Sequence, residues 1–251
     1  MSYTSFDKQD KTGILYLNRV EKRNALNEEF MDELNDVLDS VEHSGIHALI
    51  VTSKGGNVFS SGGDISYFIT LKSKTDAREM SFKMHNLLNR FEDIDILTLC
   101  VINGSAIGGG AELILPFDMR FLRSESFIQF KEKHMGVTTG WGGTYRLVNL
   151  IGYTNALKVL MGAEKITADR ALLFGLVNEV YDKYILMEKA VEFCAGLKDD
   201  DIRLIKHIKN LSKHSIYANR KDAMLKEEEL FSEAWMFGKR EKIMKDFLER
   251  L

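Results

Sequence analysis

Asn103-Gly104-Ser105-Ala106-Ile107-Gly108-Gly109-Gly110-Ala111-Glu112-Leu113 is the stretch that decides how this chain folds. The apolar run Leu97-Thr98-Leu99-Cys100-Val101-Ile102 feeds into it and reads as a buried strand. Three consecutive glycines follow, and then a helix-compatible run with a carboxylate, Glu112, in its first turn. Glycine lets a backbone N–H approach a ligand closely, because no Cβ stands in the way. A helix N-terminus adds unpaired N–H donors and partial positive charge. Such a turn can hold a developing negative oxygen with Glu112 beside it. The plainer alternative is a tight strand-to-helix connection whose first-turn carboxylate complements the helix dipole.

Working outward, residues 47–52 (His-Ala-Leu-Ile-Val-Thr) read as another buried strand, followed by a second glycine turn in Val58-Phe59-Ser60-Ser61-Gly62-Gly63-Asp64-Ile65. The front two-thirds alternate such strands with amphipathic helices, the pattern of an α/β domain. Asn27 is placed to cap a helix carrying Met31, Leu34, Val37, Leu38 and Val41 at helical spacing, with Gly45 at its end. A second helix is predicted over 76–91, and short strands over 119–122 and 127–130. From Tyr153 onward the helical signal dominates, with helices predicted over 186–197, 202–211 and 218–235. Pattern alone yields α/β followed by α.

These turns, with Leu17-Asn18-Arg19-Val20-Glu21-Lys22-Arg23-Asn24-Ala25-Leu26-Asn27 before them and Gly142-Gly143-Thr144-Tyr145-Arg146-Leu147 and Ala171-Leu172-Leu173-Phe174-Gly175-Leu176-Val177 after, give the chain its family likeness. It resembles the enoyl-CoA hydratase/isomerase superfamily, the crotonases, over almost its whole length. That resemblance implies a spiral of stacked β-β-α turns in residues 1–190, which hold the thioester site. A helical region, 191–251, would serve trimer assembly, giving a homotrimer or a hexamer built as a dimer of trimers. The same resemblance makes the backbone N–H groups of Gly63 and Gly109 the oxyanion hole for a thioester enolate. Gly63 stands where an alanine is common; since the donor is backbone, the change is expected to be tolerated.

Glu112 matches the first hydratase glutamate. Counting back from Gly136 places Glu132 on the second. Two carboxylates holding one water divide the work of hydration: one takes the water's proton, the other protonates the α-carbon. Around Glu132 the pattern departs from the family. Lys131 replaces the usual proline, Lys133 and His134 follow, and Trp141 replaces a small residue where it would narrow the acyl pocket. The backbone around Ser61, Gly63, Asp64 and Ile65 would cup coenzyme A, and Lys22 and Arg23 would meet its phosphates. Ser66 replaces a common lysine, which leaves an acyl-carrier-protein substrate open beside acyl-CoA.

The leading expectation is hydration of a 2-enoyl-CoA to a 3-hydroxyacyl-CoA. The Gly140–Leu147 run (Gly-Trp-Gly-Gly-Thr-Tyr-Arg-Leu) with Ala156-Leu157-Lys158-Val159-Leu160 looks most like the superfamily's alkylmalonyl-CoA decarboxylases, so decarboxylation of a methyl- or ethylmalonyl-CoA is the alternative. An enoyl-CoA isomerase comes third, and a non-catalytic RNA-binding homologue is a minor reading.

Composition bounds these readings. The 251 residues suffice for one full core and are few for two independent domains. A formal charge of −3 argues against nucleic-acid or anionic-membrane partners. Cys100 and Cys194 have no metal or redox spacing, and the glycine runs lack the P-loop and dinucleotide fingerprints, so neither a metal nor a cofactor is expected, and a reducing, cytoplasmic setting fits. The amino terminus is polar, without a signal-peptide pattern, and no apolar run approaches membrane-spanning length.

Overall fold

The chain opens with an antiparallel hairpin, β1 (Thr4–Gln9) and β2 (Thr12–Leu17), turned at Asp10 in the left-handed region. This is a computed structural model that describes residues 2–197, 202–237 and 239–250. Residues 198–201, 238 and 251 of the expected helical region lie outside it. After α1 (Glu28–Glu42), the pair β3 (Ala48–Ser53) and β4 (Val58–Ser60) is followed by α2 (Ile65–Phe68) and α3 (Lys74–Asp93). The pair β5 (Leu97–Ile102) and β6 (Ser105–Ile107) is followed by α4 (Gly109–Leu113). The pair β7 (Met119–Arg123) and β8 (Phe127–Gln129) is followed by a 3-10 turn over Glu132–Met135 and by α5 (Gly143–Gly162). Then come β9 (Ile166–Thr167), α6 (Ala168–Leu173), β10 (Glu179–Tyr181) and α7 (Leu186–Ala195).

In each pair the first strand joins one sheet and the second joins another. The larger sheet runs β1-β2-β3-β5-β7-β10 and the smaller β4-β6-β8-β9. Repeating strand, strand, helix three times with parallel neighbours winds the chain into a β-β-α spiral. Strands covered on both faces read as continuous apolar runs; all six residues of β3 are buried. The core gathers Leu15, Leu49, Val51 and Cys100 from the sheet with Phe30, Leu34, Leu38, Leu87 and Phe91 from α1 and α3.

This winding builds the site. β4, β6 and β8 lie side by side and parallel, so their C-terminal ends deliver three loops to one place. Those loops carry Ser61–Asp64, Gly108–Glu112 and Lys131–Glu132 respectively.

The described chain divides into two units, Met1–Ala195 and Gly196–Leu251. The expected division after residue 190 falls inside α7, which groups whole with the first unit. The second unit contains α8 (Ile202–Tyr217), α9 (Arg220–Trp235) and α10 (Lys239–Leu248). Asn219 caps α9 by accepting from the Asp222 N–H, so the helix starts at 220 rather than 218. Likewise α3 begins at Lys74, because Ser73 and Asp76 form a reciprocal capping box and Asp76 is its third residue rather than its first. The predicted cap at Asn27 is present, its side chain accepting from the Phe30 N–H. Among the described residues no helix is long and apolar enough to cross a membrane.

Candidate active site

Both glycine turns exist and they touch. Gly62 has φ +91° and sits so close to the second turn that a Cβ on it would lie 2.7 Å from the Gly109 nitrogen and 2.9 Å from the Ile107 carbonyl oxygen. Only glycine fits there, on both conformational and steric grounds. Gly108, with φ +56° and ψ −129°, turns β6 into α4 while its N–H donates to the Gln129 carbonyl of β8 at 2.8 Å. Neither the Gly63 nor the Gly109 N–H has a hydrogen-bond acceptor among the described residues. The first turn is pinned from both sides: the Leu26 N–H donates to the Gly62 carbonyl and the Asp64 N–H to the Leu26 carbonyl, each at 2.8 Å.

An aromatic ring lies against each proposed donor glycine. A Cβ on Gly63 would fall 2.0 Å from Cζ of Phe68, and one on Gly109 would fall 2.2 Å from Cζ3 of Trp141. The Phe68 ring fills the volume that an alanine methyl at position 63 would take.

Glu112 is buried at 2% exposure and is held by three backbone donors. The Trp141 and Gly143 N–H groups donate to Oε2 at 2.8 and 2.9 Å, and the Gly140 N–H donates to Oε1 at 3.2 Å. Burial pushes its carboxyl upward from the ordinary range, and these three donors with the Arg146 charge pull against that rise. The holding loop is fixed in turn by Arg146, whose Nη1 donates to the Trp141 carbonyl at 3.1 Å. Its Nη2 donates to Asn89 at 2.6 Å and its Nε pairs with Glu92 at 2.8 Å.

Glu132 opens the 3-10 turn after β8. A charged cluster with Lys131 and Lys133 would ordinarily be a solvated loop, yet both Glu132 carboxyl oxygens are buried and have no hydrogen-bond partner among the described residues. Its Oε1 lies 3.7 Å from where a Cβ on Gly108 would be, so the carboxyl faces the second glycine turn. Burial, reinforced by the Glu112 charge, pushes its pKa up to about 7. The two carboxyls thus differ. Burial raises both, but Glu112 has three donors from the 140–143 loop that favour its ionised form, whereas Glu132 has no partner from another described residue and titrates near pH 7.

The remaining expected residues divide. Lys22 and Arg23 are exposed, and the Arg23 carbonyl accepts from the Ser61 N–H at 3.0 Å, which sets this basic loop against the first glycine turn. Ile65 is exposed beside it. The Asp64 side chain is occupied: it caps α2 through the Ser66 N–H and pairs with buried Arg19 at 2.7 Å. Only its backbone is left for a ligand. Ser66 bonds to Asp64 as well, so its hydroxyl is committed locally. Arg19 and Arg146 lie in quoted runs that gave them no role, and Phe68 and Met80 carry no motif of their own; Arg19, Met80 and Arg146 act across contacts between separate elements. Among the described residues no cluster of His, Cys, Asp and Glu is arranged to hold a metal.

Residues 8–251 match the family described as Enoyl-CoA hydratase/isomerase. The chain belongs to that family. It is 32% identical over 233 residues to the ethylmalonyl-CoA decarboxylase of Rattus norvegicus, covering 91% of this chain and 77% of that protein. It is 29% identical over 245 residues to the short-chain-enoyl-CoA hydratase of Clostridium acetobutylicum, covering 97% and 94%. The fold matches that of an enoyl-CoA hydratase from Bacillus anthracis with a TM-score of 0.92 at 24% identity, covering 99% of this chain and 97% of that one. This crotonase is therefore an acyl-CoA enzyme, with relatives named for two different reactions on one scaffold.

Proposed function

We propose that this crotonase hydrates a 2-enoyl-CoA to the 3-hydroxyacyl-CoA. The observation that carries the reading is the second carboxyl: Glu132 is buried against the same glycine turn that leads into Glu112. The thioester oxygen would lie on the Gly63 and Gly109 N–H groups, with Lys22 and Arg23 toward the coenzyme A phosphates and the backbone of Ser61–Ile65 beside the pantetheine. Glu112, kept ionisable by its three donors, takes a proton from water as the water oxygen bonds to the β-carbon. The Cα=Cβ pair shifts to form a double bond between Cα and the carbonyl carbon, and the carbonyl pair moves onto the thioester oxygen as an enolate, stabilised by the two N–H groups. Glu132, its pKa pushed up to about 7 so that a substantial protonated fraction persists near neutral pH, then delivers its proton to the α-carbon.

A second reading is supported by Trp141 and by the decarboxylase-named relatives. An alkylmalonyl-CoA would lose carbon dioxide to give the same enolate on the same N–H pair, with no water activated. Two ionised glutamates would repel that substrate's carboxylate; a neutral Glu132 weakens this objection without supplying a reason for two carboxyls. Comparing turnover of crotonyl-CoA with release of carbon dioxide from ethylmalonyl-CoA by the purified protein tests the choice. Hydration of the first without decarboxylation of the second is the expected result.

The same reading includes self-association. Tyr153, Leu157 and Met161 form a stripe at successive helical turns of α5 that is 69%, 41% and 58% exposed. A contiguous apolar stripe of this kind is normally covered by a partner, and a trimer, alone or paired into a hexamer, is the assembly proposed.

A further inference from the structure

We infer that Trp141 is the specificity-determining residue that limits this site to short acyl groups, acting as a partition between the acyl space and a separate cleft. The inference rests on the thioester reading above but not on which reaction follows.

The benzo edge of the Trp141 indole lies against the Gly109 α-carbon, with Cζ3, Cη2 and Cε3 the nearest atoms to any added Cβ. The ring is 3% exposed, and its Nε1–H donates to the Met80 sulfur of α3 at 3.2 Å, which fixes its plane. Its backbone is tied at both ends, by the N–H to Glu112 and by the carbonyl to Arg146. A carbonyl oxygen on the Gly109 N–H therefore places the acyl group against a rigid aromatic wall. Phe68 stands correspondingly over Gly63.

Open space lies near the residues that flank this ring. A cleft of about 840 Å³ between α3 and α5 is lined by Ser81, His85, Gly140, Gly142, Tyr145 and Val148. Gly140 and Gly142 flank Trp141, and Ser81 follows Met80, so the residues on either side of the ring and its sulfur partner line the cleft while the ring points to Gly109. A ring held on both edges cannot swing aside for a longer chain without losing the Met80 contact. Removing the indole would open volume between Gly109 and this cleft.

The test is binding of saturated thioesters, which neither reaction consumes. Isothermal titration calorimetry would compare butyryl-, hexanoyl-, octanoyl- and decanoyl-CoA on the wild type and on Trp141→Ala. One misfitting methylene in a closed pocket changes affinity by roughly 10- to 200-fold. The wild type should bind butyryl-CoA at least tenfold more tightly than decanoyl-CoA, and Trp141→Ala should abolish or invert that order. Should Trp141→Ala not fold, Trp141→Leu and Met80→Ala carry the same readout. Wild-type affinity that rises steadily with chain length overturns the inference, as does an unchanged preference in a folded Trp141 variant. Failure of every acyl-CoA to bind would instead sink the thioester reading.

Discussion

The Trp141 N–H donates to Oε2 of Glu112 at 2.8 Å, so the residue proposed to wall the acyl space also holds the proposed base. On the proposed reading, specificity and chemistry share one loop. The Arg146 guanidinium, itself fixed by Asn89 and Glu92 of α3, secures that loop through the Trp141 carbonyl.

Arg146 is accordingly a positioning residue. Arg146→Lys keeps the charge and loses the planar fork that meets three partners at once. A misplacement of about 1 Å at a reacting group lowers rate by roughly 100-fold. A kcat reduced to that extent with KM little changed is expected, together with a displaced acid limb of the pH–rate profile as Glu112 loses its ordered donors. A fall in thermal stability alone, with both kinetic constants intact, would assign Arg146 a merely structural part.

Gly62 guards the Gly109 N–H. Gly62→Ala would place a methyl 2.7 Å from that nitrogen in a backbone conformation alanine disfavours. Loss of one oxyanion donor lowers rate by roughly 100- to 1000-fold. Turnover should fall by that order while circular dichroism keeps its helical signature; undiminished turnover in the folded variant would remove the paired turns from the mechanism.

Gly63 and Phe68 should be coupled. Gly63→Ala alone forces the new methyl against the ring, a small-to-large change worth about 1–3 kcal/mol of stability. With Phe68→Leu the loss should be largely recovered, so the two substitutions are not additive. Chemical denaturation of the two single variants and the double variant measures this. Strict additivity would show that the ring and the methyl do not compete.

Glu132 makes stability depend on pH. Its carboxyl is pushed up to about 7 in the folded chain, chiefly by burial and further by Glu112, against about 4.3 in an unfolded one. The folded state thus binds the extra proton between these values. The associated stability is fully present below about pH 4.3 and lost as pH rises to about 7. Glu132→Gln has no such titration, so its melting temperature should gain on the wild type across that interval and then hold a constant offset. Parallel curves would place the Glu132 carboxyl in water.

Much of the fold was legible because it rests on local signals. Buried parallel strands are apolar throughout, so β3 and β5 stand out, and the Asn27 cap and the α1 stripe are written at fixed offsets. The edge strand β1 is not, since its residues after Thr4 are only half-buried or exposed and carry little alternation. The first half of α5 was hidden by its glycines, with Gly142 in the left-handed region before it and Gly152 breaking it at φ +76°. Within the site, Glu112 is marked by the glycine triplet beside it. The burial of Glu132 is not marked at all: Lys131, Lys133 and His134 read as a solvated loop, and only the side-by-side ends of β6 and β8 carry its carboxyl to the Gly108 turn. The aromatic cover over Gly109 comes from a loop residue thirty-two positions away (141 − 109), beyond the reach of any short motif. Phe68 lies only five positions after Gly63 (68 − 63) and is hidden because nothing in the local run shows that the α2 turn folds its ring back over the glycine.

The central claim, that two unlike carboxyls activate and protonate across one enolate site, is tested most directly by crotonyl-CoA and ethylmalonyl-CoA turnover in the wild type and Glu132→Gln. General acid–base groups contribute about 100- to 10,000-fold. The wild type should hydrate crotonyl-CoA with an alkaline limb near pH 7, and Glu132→Gln should still bind the thioester while losing turnover by that order and losing the limb. Carbon dioxide released from ethylmalonyl-CoA by the wild type, unharmed by Glu132→Gln and without hydration of crotonyl-CoA, would contradict it.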